Sequence, residues 1–207
     1  MRITTISDLH GFQPDLPGGD LLIVAGDLTA RDVRAEYNDV ATWLENQNYE
    51  KIILVAGNHD NFLEKNILKT SEKTTYLCDS SIEFKGLRIY GTPWSKWFVG
   101  INPNCEAFTK YTEKELLERF VYIRKDTDIL VTHTPPYGIL DLSNNSERCG
   151  SEALRNVIDD LNIMYHFFGH IHENGLQKEV KGNTTFVNCS YVDERYLPRG
   201  TVFSCEI

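Results

Sequence analysis

Five short segments of this chain place Asp, Asn or His directly after an apolar run. They are Ser7-Asp8-Leu9-His10-Gly11, Ala25-Gly26-Asp27, Ala56-Gly57-Asn58-His59-Asp60, Thr132-His133-Thr134-Pro135 and Gly169-His170-Ile171-His172. Of the six histidines, only His166 falls outside these segments, inside an apolar run. Carboxylate, amide oxygen and imidazole together suit borderline or hard divalent ions: Mn²⁺ foremost, with Fe²⁺, Zn²⁺, Mg²⁺ or Ni²⁺ as the others. No thiolate is offered, so a structural zinc site is not expected. Four ligands hold one ion. The surplus suggests two ions sharing a bridging carboxylate, at the ~3.5–4 Å separation of two-metal hydrolases.

The stretch FFGHIHENG (Phe167–Gly175) holds two histidines one residue apart. If the backbone stays extended past Gly169, His170 and His172 point to the same side, because strand side chains alternate.

These groups need strands to carry them. Apolar runs rich in β-formers recur at Ile3–Ser7, Leu21–Ala25, Lys51–Ala56, Ile82–Phe84, Leu87–Tyr90, Asp128–Thr132, Met164–Phe168, Thr184–Asn188 and Thr201–Ile207. Helical spacing relates Val33, Tyr37, Val40 and Leu44, and again Leu154, Val157, Ile158 and Leu161. Thr112 followed by Glu115 reads as a capping box opening a helix through Arg124. Lys181-Gly182-Asn183 reads as a hairpin turn. Alternating strands and helices in the first half, with more strands in the second, give an α/β layered domain with mixed sheets. In such sheets ligands bind at the C-terminal strand ends, where the five segments lie. The least regular stretch, Gly91–Tyr111, reads as a long surface loop in which Trp94 and Trp97 either stack a base or roof the core.

With 207 residues, the chain is expected to form a single domain over 1–207. A net charge of −9 argues against long nucleic acids as partners, although metals can supply positive charge locally for a small anion. Five scattered cysteines suit free thiols in a reducing compartment. No leader is seen in MRITTISDLHG, and no apolar run nears the ~18 residues of a membrane span. A cytoplasmic protein with no membrane partner is the expectation.

The order D-x-H, GD, GNHD, H, GHxH resembles the calcineurin-like metallophosphoesterase superfamily across all its signature segments, from Asp8 to His172. IYGTPWSKWF (Ile89–Phe98), THTPPYGILD (Thr132–Asp141) and TTFVNCS (Thr184–Ser190) look further like the small brain-type metallophosphoesterase-domain proteins. The resemblance implies a four-layer α-β-β-α sandwich of two mixed sheets. It implies one ion on Asp8, His10, Asp27 and His172, and a second on Asp27, Asn58, His133 and His170. A hydroxide between the ions would attack phosphorus, His59 would protonate the leaving oxygen, and Asp60 would orient His59.

Each position alone has an ordinary explanation. Asp after a strand is a turn former or helix cap, and Gly26, Gly57 and Gly169 could mark only tight turns. Those explanations would have to hold jointly, in family order. The function implied is hydrolysis of small nucleotide phosphodiesters, cyclic ones foremost. A phosphomonoesterase or protein phosphatase is the alternative, and a low-turnover nucleotide-binding regulator comes third.

Overall fold

The computed structural model describes residues 1–66, 68–98 and 105–207. One sheet runs β13-β1-β2-β3-β4, from β1 (Arg2–Ile6), β2 (Gly19–Ala25), β3 (Tyr49–Val55), β4 (Thr74–Tyr76) and β13 (Phe203–Glu206). The second runs β11-β12-β10-β9-β6-β5, from β5 (Ser80–Phe84), β6 (Leu87–Thr92), β9 (Ile129–Thr132), β10 (Tyr165–Phe168), β11 (Lys178–Lys181) and β12 (Thr184–Asn188). β13, β5 and β11 pair antiparallel with their neighbours, and every other pairing in the two sheets is parallel. Both sheets are therefore mixed, as expected.

The continuous apolar runs of β2 and β3 reflect burial on both faces. Leu21, Ile23, Ala25, Ile53 and Val55 pack against Ile89, Ile129, Val131, Phe167 and Val187 of the other sheet. The alternate residues Leu22, Val24, Ile52 and Leu54 join a cluster with Tyr37, Val40, Trp43 and Leu44 of helix α1 (Arg34–Asn46). The same cluster takes in Leu130, Phe168 and Phe186 with Leu116 and Phe120 of α3 (Glu113–Phe120) and Leu154 and Ile158 of α4 (Glu152–Ile158). Helices thus cover both outer faces.

Thr112 and Glu115 form the full capping box of α3, while Ser151 caps α4 through Leu154 N–H. Both helices stop earlier than their apolar periodicity suggests, at Phe120 and Ile158, where the next turns are irregular. The Lys181-Gly182-Asn183 hairpin is present, with Gly182 at φ +58° where a left-handed residue is needed. A short helix α2 (Asn61–Lys65) follows β3. The Gly91–Tyr111 stretch is more ordered than a plain loop. β6 extends into it, and β7 (Ser95–Lys96) pairs in parallel with β8 (Thr109–Lys110). Its residues 99–104 lie outside the described residues.

The parallel strands send their C-terminal ends to one edge, where the sheets are tied together. Ser7 N–H donates to Cys189 O (2.9 Å) and Tyr191 N–H to Ser7 O (2.8 Å). The residue after that tie is Asp8.

Candidate metal centre

Asp8, Asp27 and Asn58 follow the ends of β1, β2 and β3; His133 and His170 follow β9 and β10. The five segments thus come from two sheets rather than from five neighbouring strands, and they meet across the inter-sheet edge. Asp8, His10, Asp27 and His170 all have left-handed backbone, with φ of 53°, 42°, 56° and 70°. Such conformations are unfavourable for residues with a Cβ and concentrate at functional sites. His170 departs from the extended expectation for this reason. The chain turns there and enters a 3₁₀ turn at His172–Asn174, so the two histidines diverge.

His172 joins Asp8 and His10. Its Nε2 lies 3.2 Å from Asp8 Oδ1 and 3.3 Å from His10 Nε2. The buried Asp8 carboxylate also accepts from Ser190 Oγ (2.8 Å) and from His170 N–H (3.0 Å). His170 instead sets its ring against His133, with centroids 5.0 Å apart.

Asp27 lies where the clusters meet. Its Oδ2 faces Nε2 of His133 at 3.3 Å, of His10 at 3.8 Å and of His59 at 3.8 Å. Its Oδ1 accepts from His59 N–H (2.9 Å). His133 Nδ1–H donates to Ala25 O (2.9 Å), which fixes the tautomer and leaves Nε2 facing Asp27 and Asn58 Oδ1 (2.9 Å). Three of these groupings, Asp8-His10-His172, His10-Asp27-His59 and Asp8-Asp27-His133, have ligand atoms within 4.8 Å of one another. Nitrogens and carboxylate oxygens turned toward one another in this way fit divalent cations.

The glycines are not merely turn formers. A Cβ on Gly57 would stand 2.2 Å from Asp27 Oδ1, and one on Gly26 2.5 Å from His133 Nδ1. The backbone is stripped where the candidate ligands cross it.

Two sequence expectations are corrected. Asp60 does not hold the His59 ring. Its fully buried carboxylate accepts from the N–H groups of Gly57 (2.7 Å), Asp27 (2.9 Å) and Leu28 (3.1 Å) and contacts Tyr37 Oη (3.1 Å). It therefore clamps two ligand-bearing loops together, while the atom beside His59 Nδ1 is Cys105 Sγ at 3.2 Å. Nor do the tryptophans line the centre. Trp94 is 8% exposed, donates to Asp79 (2.8 Å) and lies between Lys110 and Arg119, while Trp97 packs on Tyr111. The sequence reading missed Ser190, Cys105, Phe98 and Tyr196, none of which shares a segment with the ligand-like residues. His166 is a core histidine bonded to Thr132 Oγ1 (2.8 Å), and burial lowers its pKa to about 3.

The family model for calcineurin-like phosphoesterases matches residues 1–174. The chain belongs to that family. Metallophosphoesterase domain-containing protein 1 of Homo sapiens is 32% identical over 95% of this chain and 68% of its own length. A Synechococcus protein named "Probable cyclic nucleotide phosphodiesterase" is 24% identical over 87% of this chain and 69% of its own. The solved phosphopantetheinyl hydrolase of Mycobacterium tuberculosis shares the fold, with a TM-score of 0.58 and 16% identity over 98% of this chain and 95% of that one.

The centre of this calcineurin-like phosphoesterase is tuned by charge and burial together. Burial raises Asp8 and Asp27, but the imidazoles, chiefly His172 for Asp8 and His133 for Asp27, outweigh it and hold both below the usual carboxylate range. Burial disfavours the imidazolium of His133, yet Asp27 overcomes this and pushes its pKa up to about 9. Burial lowers His10 to about 4 and His170 to about 3. Burial and then the Asp27 charge raise Asp60 to about 7.

A testable consequence is the pH dependence of metal binding. His133 is protonated at neutral pH without metal, so an ion bound there must displace that proton. Apparent affinity for Mn²⁺ should rise by about tenfold per pH unit per proton released, from pH 6 towards 9, and then flatten. Metal titration at several pH values, with proton release read in weak buffer, checks this. A flat profile would remove His133 from the ligands.

Proposed function

We propose that the chain is a phosphodiesterase of small nucleotides, cyclic ones foremost, dependent on two divalent ions, with Mn²⁺ first among candidates. The observation that carries this is the Asp27 carboxylate, shared by imidazoles of both clusters. Asp8, His10, Asp27 and His172 would hold one ion, and Asp27, Asn58, His133 and His170 the other. When bound, such ions supply Lewis acidity that offsets charge on phosphoryl oxygens and makes water a usable nucleophile at neutral pH.

The chain's own groups do the rest. His59 Nε2 stands at the rim of the centre beside Asp27 and would protonate the leaving oxygen. Asp60 and Ser190 hold the Asp27 and Asp8 loops in place. A net charge of −9 disfavours long polynucleotides. The name of the Synechococcus relative supports the cyclic-nucleotide reading. All five cysteines are unpaired, which suits a cytoplasmic setting. Among the described residues, no helix is long and apolar enough to cross a membrane.

The test is a Mn²⁺-supplemented panel of bis-(p-nitrophenyl) phosphate, p-nitrophenyl phosphate, and 2′,3′- and 3′,5′-cyclic nucleotides. Diesters should be preferred, and a monoester preference would reject the reading in favour of a phosphatase. Removing His59 should cost about 10²-fold or more on cyclic nucleotides, whose alkoxide leaving group needs a proton. The loss should be much smaller with a p-nitrophenolate leaving group. Equal losses on both would place His59 outside proton transfer. His172→Ala should empty mainly the first metal position and His170→Ala mainly the second, as read by metal stoichiometry.

A further inference from the structure

The segment after β12 returns to the centre and meets one half of it. Ser190 Oγ donates to Asp8 Oδ2 (2.8 Å), and Tyr191 N–H donates to Ser7 O (2.8 Å). A hairpin follows, in which Val192 bridges to Pro198. It is closed by Asp193 N–H to Leu197 O and by Arg199 N–H to Tyr191 O (2.8 Å each). All of it lies past residue 174, where the match to the family model ends.

The tip of the hairpin is tied by Asp193. Its carbonyl accepts from Tyr196 N–H (2.9 Å), and its carboxylate accepts from the N–H groups of Arg195 and Leu197 (2.9 Å each). Tyr196 has a left-handed backbone there, φ 60°, which a bulky residue adopts only under constraint. The residue is 43% exposed, so core burial does not offset that strain. What its ring meets is the pair of imidazoles beside Asp8. It stands edge-to-face with His10 (4.8 Å between centroids, 72° between planes) and with His172 (5.1 Å, 84°). Those two rings bring their Nε2 atoms within 3.3 Å of each other, so their torsions decide where an ion can be held between them.

At the root of the hairpin, Arg199 Nη2 donates a charge-assisted bond to His172 O (2.6 Å). The same carbonyl accepts from Gly175 N–H (3.0 Å). A Cβ on Gly175 would stand 2.6 Å from Arg199 Nε and 2.7 Å from Ser190 O, so the glycine lets the root lie on the turn that carries His172. Ring and backbone of His172 are thus fixed from one hairpin. The second cluster is held differently, with His133 fixed by Ala25 O.

We infer that Tyr196 and Arg199 are positioning residues for the first metal position. The 191–199 hairpin that carries them sets how tightly the ion on Asp8, His10, Asp27 and His172 is kept, and leaves the ion on His133 and His170 alone. Side chains whose rotamers are locked by their neighbours offer a metal a preformed ligand set. The inference rests on the reading of two ion positions.

The test is Mn²⁺ binding, followed by titration and by EPR, which separates a lone bound ion from a coupled pair. Tyr196→Ala and Arg199→Ala should each weaken one position by about 10–100-fold, the usual cost of losing a ligand's supporting partner, and leave the other within about threefold. Tyr196→Phe keeps the ring and should bind as the parent does. At Mn²⁺ levels that just fill both positions of the parent, the Tyr196→Ala spectrum should be that of a lone ion. Combined variants assign the position. Tyr196→Ala should weaken the ion left in a His170→Ala background and change little in a His172→Ala one. The Tm of the metal-free Tyr196→Ala chain should stay near the parent's, which separates positioning from a loss of fold.

Equal weakening of both positions would overturn the inference, as would a Tyr196→Phe variant that binds as poorly as the alanine one. If the parent binds a single ion, the two-ion reading falls, and the inference stands only if Tyr196→Ala weakens that ion. A parent that binds none sinks both. Two ions held by the parent and left untouched by Tyr196→Ala would keep the two-ion reading and end the role of the hairpin.

Discussion

If Asp27 bridges two ions as proposed, replacing it with asparagine is expected to lower kcat/KM by roughly three orders of magnitude or more, since it removes the charge both metal positions would share. The side chain is 1% exposed, and Oδ2 faces three imidazole nitrogens. An amide of the same shape carries no net charge, and its NH₂ end would present protons to nitrogens that must receive a cation. Both metal positions should weaken together, so stoichiometry should fall towards zero rather than one. A second readout comes from Asp60, whose pKa is raised by burial and by the Asp27 charge. Without that charge it should titrate lower, as carboxyl NMR of the metal-free chain would show. Retention of both ions with activity within tenfold of the parent would sink the bridging role.

The second large effect is expected from Gly169→Ala, at the residue just before His170. A Cβ there would stand 2.1 Å from Asp8 Oδ2 and 2.1 Å from Ser7 Oγ, in the fully buried tie between the two sheets. Neither atom is the end of a flexible chain. Ser7 is bonded to Ala25 O through its hydroxyl (2.8 Å), and Asp8 is held by Ser190 and His170. Overpacking of this kind costs about 1–3 kcal/mol. That is a Tm loss of roughly 2–12 °C at the ~2–4 °C per kcal/mol of a domain of this size. Displacing Asp8 should also weaken the first metal position, the one shared with His10 and His172, more than the second. Thermal melting with and without Mn²⁺ checks both parts, because the metal-induced rise in Tm should shrink in the variant. An unchanged Tm together with full metal content would show that Asp8 can move at no cost.

Much of this molecule was legible in its sequence because the signals are local. Period-two and continuous apolar runs marked nine strands, all of them present with ends shifted by a residue or two. The Thr112–Glu115 box and the Gly182 turn were read correctly because each depends on neighbours within a few residues. The types and order of the ligand-like residues at strand ends were likewise visible in Asp8, Asp27, Asn58, His133 and His170. Parallel strands with buried faces must deliver their C-terminal residues to a common edge.

What the tertiary structure decided concerns direction and partners. Period-two alternation predicted a shared side for His170 and His172, but the left-handed turn at His170 separates them, one beside His133 and one beside Asp8. Adjacency in sequence suggested that Asp60 orients His59, whereas the buried Asp60 carboxylate had nearer donors in the Gly57, Asp27 and Leu28 amides. The sequence leaves Trp94 and Trp97 equally open to stacking a base or roofing the core, but Trp94 is taken up by Asp79, Lys110 and Arg119. Histidines aside, the aromatic side chains among the described residues lining the cavity at the centre are Phe98 and Tyr196. Short-range patterns fix which groups a strand end carries. Where those groups point is set by hydrogen bonds and close contacts between residues far apart in the chain, such as Asp8 with Ser190 and Ala25 with His133, and those exist only once the two sheets have closed on each other.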